Sequence, residues 1–403
     1  MKEEKMMILS MLEEGKITAE DAIKLMEALE DIEIPKNHNE TKEEIYDDFQ
    51  EKKSSKPIFN TLEDIGSDIS NVLSNMFDGL KDVGNSFIFR NNYETITTDL
   101  DVDISNMNLP TLDLKAINGS IFLRPNIDNN LFIKVTCQYK KGLFSPDEPY
   151  FDFSTNENKI IFNPKYNSNI SIKLDVSLPK KDYDEITLNS SNGKIDIQEL
   201  NTDILKCITT NSSINIVKAN SKEIDLTTKN GKIECKDINS NIIKSTTTNS
   251  SIFLTNLHCL EIEAKTANGK IVINNIDGQK IILKTSNALI ETEDVNCNII
   301  HLTTSNGKII CNNIDMNKAK EVKLMTSNGS INSKVYGITK DNYFDLETSM
   351  GNISLGIPNL VYKINNQANL GFKKIVAHNV NFDENRDNVK FIASTSNGSI
   401  NIY

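Results

Sequence analysis

An apolar pattern of fixed period runs through the middle of this chain. Isoleucine recurs at Ile195, Ile214, Ile233, Ile252, Ile271, Ile290 and Ile309, each 19 residues after the last, and again at Ile331. Three residues before each stands an asparagine: Asn192, Asn211, Asn230, Asn249, Asn268, Asn287, Asn306 and Asn328. Counted from that asparagine, apolar residues also fall at +5, +8, +13 and +15, as in Leu205, Ile224, Ile243, Ile262, Ile281 and Ile300 at +13. Steps of two place alternate side chains on one face, which is the strand rule. A fixed period means stacked supersecondary units that share one core. Each unit is expected to supply two short strands joined by two turns. Equivalent strands of successive units then stack in parallel, about 4.8 Å apart. The expected fold is mainly β, a β-solenoid of 19-residue turns with isoleucine at its centre.

The asparagines mark the bend. Gly follows in Asn192-Gly193, Asn230-Gly231, Asn268-Gly269 and Asn306-Gly307, and Asn-Gly is a strong short-turn signal. Ser212, Ser250 and Ala288 replace that glycine in alternate copies, so those bends must accept a Cβ. Stacked asparagine amides can donate and accept along the column. A looser polar column follows at +9: Asn201, Asn220, Asn239, His258, Asp277 and Asn296. Thr at −2 can pack its methyl group inward and bond the turn backbone.

The periodic stretch covers 190–331. Residues 86–180 read as irregular opening turns, with an outlying copy at Asn118. Residues 332–403 read as an irregular C-terminal cap carrying copies at Met350 and Asn397. Ahead of the strands the pattern is helical. Met7, Ile8, Met11 and Leu12 lead to Gly15, and Thr18 starts a second helix running to Pro35. Residues 1–34 are therefore a helical hairpin, too small to bury a core alone, which pairs with its own copy, docks, or grips a protein partner. Residues 35–57 are a charged linker. Residues 58–85 form an amphipathic helix, with Phe59, Leu62, Ile65, Ile69, Val72, Leu73, Met76, Phe77, Leu80 and Val83 at three- and four-residue steps. Three roles compete for it: a cap on the N-terminal end of the stack, a pairing surface, or peripheral membrane contact through 58–83.

Charge narrows the choice of partners. The chain has 56 acidic and 44 basic residues, a net charge of −12. Residues 1–34 hold four lysines against ten carboxylates, and 58–85 one lysine against five. An acidic arm and a nearly neutral body give no basic stripe for phosphates, so nucleic acid is not an expected partner. No secretory signal and no run of about 20 apolar residues is read, which gives a cytoplasmic expectation, with peripheral membrane association open. The six cysteines form no Cys-x-x-Cys pair and are expected as free thiols. The outward +4 positions, Asp196, Asn215, Glu234, Phe253, Val272, Glu291 and Ile310, force no two carboxylates together as glycoside hydrolysis requires. His258 and His301 read as solvated surface residues. No nucleophile motif, phosphate loop or metal spacing is present, so no enzyme, cofactor or small-molecule substrate is expected.

Two resemblances add to this. Residues Ile8 to Ala22, with the core Leu12-Glu13-Glu14-Gly15-Lys16-Ile17-Thr18, resemble the SHOCT-like hairpin that opens YvlB/LiaX-type proteins of Gram-positive bacteria. The Ser-Asn-Gly repeat over about 90–403 resembles the bacterial putative-adhesin repeat family, which implies a right-handed, single-stranded parallel β-helix. The family's Asp is Lys or Ser here, at Lys194, Lys232, Lys270, Lys308, Ser213 and Ser251. The pairing of hairpin and repeat implies a non-enzymatic accessory of the cell-envelope stress response. The alternative is an adhesin-like or glycan-binding module.

Overall fold

A computed structural model describes residues 92–145, 147–367, 371–383 and 385–403. The expected hairpin at 1–34, the linker at 35–57 and the amphipathic helix at 58–85 lie outside the described residues. No described residue is helical. The described residues form one 24-stranded sheet that coils on itself.

The opening strands are β1 (Tyr93–Asp103), β2 (Thr111–Ala116), β3 (Asn118–Asn126), β4 (Asn130–Lys140), β5 (Phe151–Asn156), β6 (Lys159–Pro164), β7 (Ile170–Pro179) and β8 (Tyr183–Ser190). The repeats supply β9 (Ile195–Thr209), β10 (Ile214–Thr228), β11 (Ile233–Thr246), β12 (Ile252–Lys265), β13 (Ile271–Thr285), β14 (Ile290–Asn296), β15 (Ile299–Thr304), β16 (Ile309–Asp315), β17 (Glu321–Met325) and β18 (Ile331–Tyr336). The closing strands are β19 (Asp341–Thr348), β20 (Ile353–Leu355), β21 (Leu360–Asn366), β22 (Lys373–Asn379), β23 (Asn388–Thr395) and β24 (Ile400–Ile402).

Strands β9 to β13 pair in parallel, with residues 19 apart opposite each other: Ile195 with Ile214, Ile233 with Ile252, Ile252 with Ile271. The eight isoleucines from Ile195 to Ile331 are all 0 % exposed. Burying each one contributes about 1.5–3 kcal/mol.

From β9 to β13 each unit is one long ladder interrupted at two places, whereas in the next two units the expected two strands are separate, β14 with β15 and β16 with β17. Pairing skips +7 and +11, passing from Val217 to Ala219 and from Ser221 to Glu223. At +7 the backbone is left-handed: Glu199, Lys218, Asp237, Asn256, Asn275, Asp294 and Asn313 have φ between 52° and 59°. That residue resets the alternation, so the inward set jumps from +5 to +8. A second reset separates +10 from +13. At +10, the hydroxyls of Thr202, Ser221 and Ser240 span this corner by donating to the carbonyls of Ile204, Glu223 and Ile242.

The asparagine bends carry no positive φ in the regular copies. They are therefore not the type I′ turn that Asn-Gly signals in hairpins. Glycine is present for a different reason. A Cβ on Gly231 would lie 1.6 Å from the Ser212 carbonyl oxygen of the neighbouring layer, and one on Gly269 would lie 1.7 Å from that of Ser250.

The stack is not parallel throughout. β1 pairs antiparallel with β4, β4 with β7, and β5 with β6. At the far end β22 runs antiparallel to both β19 and β21. Nor do the layers follow chain order. β3 and β8 lie directly beneath β9, although β3 comes well earlier in the chain, with Ile121 opposite Ile195, 74 residues on. At the other end β23 lies between β17 and β19, and β24 between β18 and β20. The copy at Asn397 is thus inserted between those at Asn328 and Met350.

Candidate functional site

The repeated phrase is occupied in joining layers. Asn192 Nδ2 donates to Asn118 Oδ1, and the pattern continues through Asn211, Asn230, Asn249, Asn268, Asn287, Asn306, Asn328 and Asn397, at 2.5–2.8 Å. The threonine at −2 is buried and works in two directions. Thr266 Oγ1 accepts from its own turn at Gly269 N (3.2 Å) and donates to the Ser250 carbonyl one layer away (3.0 Å). Thr228, Thr304 and Thr326 do the same. Ser190 takes the role ahead of Asn192, donating to the Gly119 carbonyl. The +9 column is partly bonded, with Asn220 donating to Asn201 and Asn296 to Asp277. The +7 corner makes a further ladder that sequence reasoning missed: Asn256 donates to Asp237, Asn275 to Asn256, and Asn313 to Asp294.

The outer face at +2, +4 and +6 is where side chains are free of the folding pattern. At one end Asp196 is nearly buried, and Arg124 Nη2 donates to its Oδ1 at 2.7 Å. Lys194 also pairs with it, and Asn215 donates at 3.4 Å. Burial opposes the charge of Asp196, but Lys194 and Arg124 outweigh it and hold its pKa below the ordinary value. Phe122 lies beneath the Arg124 guanidinium (5.6 Å) and Lys173 Nζ (5.0 Å), on a shallow groove of about 270 Å³. Farther along, Phe253 sits between Lys232 (5.5 Å) and Lys270 (5.3 Å), while Lys232 also pairs with Glu234 at 2.6 Å.

The face at +12 and +14 carries ion pairs across layers: Lys206–Glu185 (2.8 Å), Lys244–Glu223 (2.8 Å) and Lys280–Glu261 (2.6 Å). His301 belongs to this set, with Nε2 at 2.7 Å from Glu321. His258 lies 3.1 Å from Asp277, which Lys318 also contacts. Both histidines therefore have carboxylate neighbours. Asp225 stands between Lys206 and Lys244 in the ladder, yet those lysines reach Glu185 and Glu223 instead. Burial raises its pKa. A polar groove of about 370 Å³ runs along the +7 and +9 corner, lined by Pro179, Lys180, Glu199, Asn201, Lys218 and Asn220.

All six cysteines are buried free thiols. Burial pushes Cys137, Cys235, Cys259, Cys297 and Cys311 up to about 12, and raises Cys207 as well. A thiol so shifted is not a nucleophile near neutral pH. Among the described residues no group of three or more His, Cys, Asp or Glu side chains converges as a metal site.

Residues 152–277 match the Toastrack DUF4097 family, and residues 3–33 match the SHOCT-like domain. Together these cover less than half of the chain. No curated protein matches. Solved structures similar to this chain include a putative adhesin from Bacteroides fragilis NCTC 9343 (14 % identity, 77 % of this chain and 97 % of that one, TM-score 0.29). Another is a putative adhesin from Parabacteroides distasonis ATCC 8503 (11 %, 77 % and 97 %, TM-score 0.36). A third, from the same organism, is described as a putative lipid binding protein (14 %, 77 % and 97 %, TM-score 0.32). At these TM-scores the likenesses carry no argument about function.

Proposed function

We propose that this chain is a non-enzymatic binding scaffold that serves as an accessory of the bacterial cell-envelope stress response. The observation that supports it most is the way the repeat faces use their charges. Asp196, Glu223, Glu234 and Glu261 are each held by a lysine or arginine. A general acid or base needs a pKa near the working pH. Asp196 is moved away from that range by Arg124 and Lys194, and the paired glutamates are engaged in shaping a surface. The accessory role rests on the SHOCT-like match standing ahead of the Toastrack match in one chain. In this reading residues 1–34 engage a protein partner or a second copy, 35–57 act as spacer, and 86–403 present the faces. The protein works in the cytoplasm or reversibly at the inner side of the membrane.

One observation favours a second reading, an adhesin-like or glycan-binding module: the groove of about 370 Å³, whose amides and charges suit hydroxyl-rich ligands. Fractionation of the native cells separates the two. The scaffold reading expects protein in the cytosolic and inner-membrane fractions, and a Leu12→Asp variant that loses its co-purifying partner. Protein found mainly on the outer cell surface, removable by external protease, overturns it in favour of the adhesin.

A further inference from the structure

The two ends of the stack are closed to different degrees. On β4 the inward residues Leu131, Ile133, Val135 and Cys137 are 0–1 % exposed. Their partners on β1 are Val102, Leu100 and Ile96, opposite Leu131, Ile133 and Cys137, and these are only half-buried. None of the eleven residues of β1 is fully buried. Across the core end, Phe151 and Phe153 of β5 are also half-buried, and Thr98 Oγ1 of β1 meets the Tyr150 hydroxyl at 2.8 Å. The acids of β1, Asp99, Asp101 and Asp103, are exposed on its opposite face. This end thus has an apolar surface that is only partly covered, with charge on its outer side.

We propose that residues 58–83 of the same chain seat their apolar face on this end, against β1 and β5, and close the core. The segment ends ten residues before β1 begins, a reach of at most about 36 Å. A cluster of exposed apolar side chains, Val361, Tyr362, Ile364 and Phe372, lies at the far end. Some thirteen strand spacings of about 4.8 Å separate the two ends, on the order of 60 Å, so Val83 cannot reach it within one chain. The sequence of the segment fits a surface of this kind. Ten apolar residues recur at three- and four-residue steps, and one lysine with five carboxylates lies between them for the solvent side. Seating that broad apolar face on this end takes apolar surface from water. The proposal does not depend on the scaffold reading, because it concerns only how the stack is closed.

Hydrogen exchange by mass spectrometry on the full chain tests it, with molar mass followed in parallel. In the wild type, 58–83 is expected to be protected in a monomer without vesicles. The double variant Leu73→Asp, Leu80→Asp is expected to speed exchange of β1 and β5 at least tenfold, leaving β10 to β13 unchanged. Leu100→Asp, at a half-exposed position, is expected to release 58–83 with β10 to β13 again unchanged. Exchange of 58–83 at the rate of an unfolded chain in the wild type overturns the proposal. So does protection that requires dimerisation or anionic vesicles, or unchanged β1 and β5 in the double variant.

Discussion

Arg124 and Asp196 are 72 positions apart in the chain, yet they form an ion pair of 2.7 Å across neighbouring layers. The carboxylate is 7 % exposed, so its charge depends on Arg124 and Lys194. Arg124→Ala should cost about 1–3 kcal/mol, the penalty for leaving a buried polar group short of a partner. The pH dependence follows from the lowered pKa of Asp196. Its stabilisation is present above the unfolded carboxylate pKa and is lost as pH falls through the lower folded value. Acid titration followed by circular dichroism should show Arg124→Ala unfolding at higher pH than the wild type. Equal midpoints would mean that the pair contributes nothing.

Asp225 gives the opposite sign. Its pKa is raised by burial, so its charge opposes folding above the unfolded carboxylate pKa and has no effect well below it. Asp225→Asn should therefore raise the melting temperature at pH 7, with the gain vanishing in acid. A variant that melts lower at pH 7 would show that Lys206 and Lys244 hold the carboxylate after all.

Ile252 and Lys270 separate the core from the face. Ile252 is 0 % exposed, and Ile252→Asp places a carboxylate where no partner stands, which costs several kcal/mol. Its soluble yield or thermal transition should collapse. Lys270 rests over Phe253 at 5.3 Å, so Lys270→Asp should lose no more than about 1 kcal/mol. Similar melting curves for the two variants would refute the register.

Gly231 and Ser212 occupy equivalent positions in adjacent layers. Gly231→Ala should destabilise by about 1–3 kcal/mol, because its Cβ would meet the Ser212 carbonyl. Ser212→Gly removes no such contact and should change stability by no more than about 1 kcal/mol. Denaturant titration of both variants reads the difference directly.

The sequence could show the isoleucine column because one residue type repeats at one spacing, and a buried position tolerates little else. The left-handed corner was harder to see. Glu199, Lys218, Asp237 and Asn256 share a backbone conformation rather than a chemistry, and the one available signal was the odd step from +5 to +8. The Asn-Gly turn was visible as a bend, but the need for glycine lies in the neighbouring layer, which a single repeat does not contain. The same holds for the candidate face. Arg124 with Asp196, and His301 with Glu321, meet only because layers stack, and the first pair depends on a strand inserted out of chain order. Antiparallel pairing at both ends was hidden for a related reason, since the irregular segments there carry no period to align. The helical expectations for 1–34 and 58–85 fall outside the described residues.

The placement of β23 and β24 between earlier layers bears on how such a chain is made. Synthesis runs from the N-terminus, so the repeats from 190 to 331 can coil as they emerge. Residues 341–355 cannot, because their platform, β23 and β24, is made after them. Those layers must wait until β23 and β24 have been made. A nonsense mutation just ahead of β23 would therefore remove an interior course rather than the outermost one. The number of units at that end is set by how the chain is threaded, not by how many copies the gene carries.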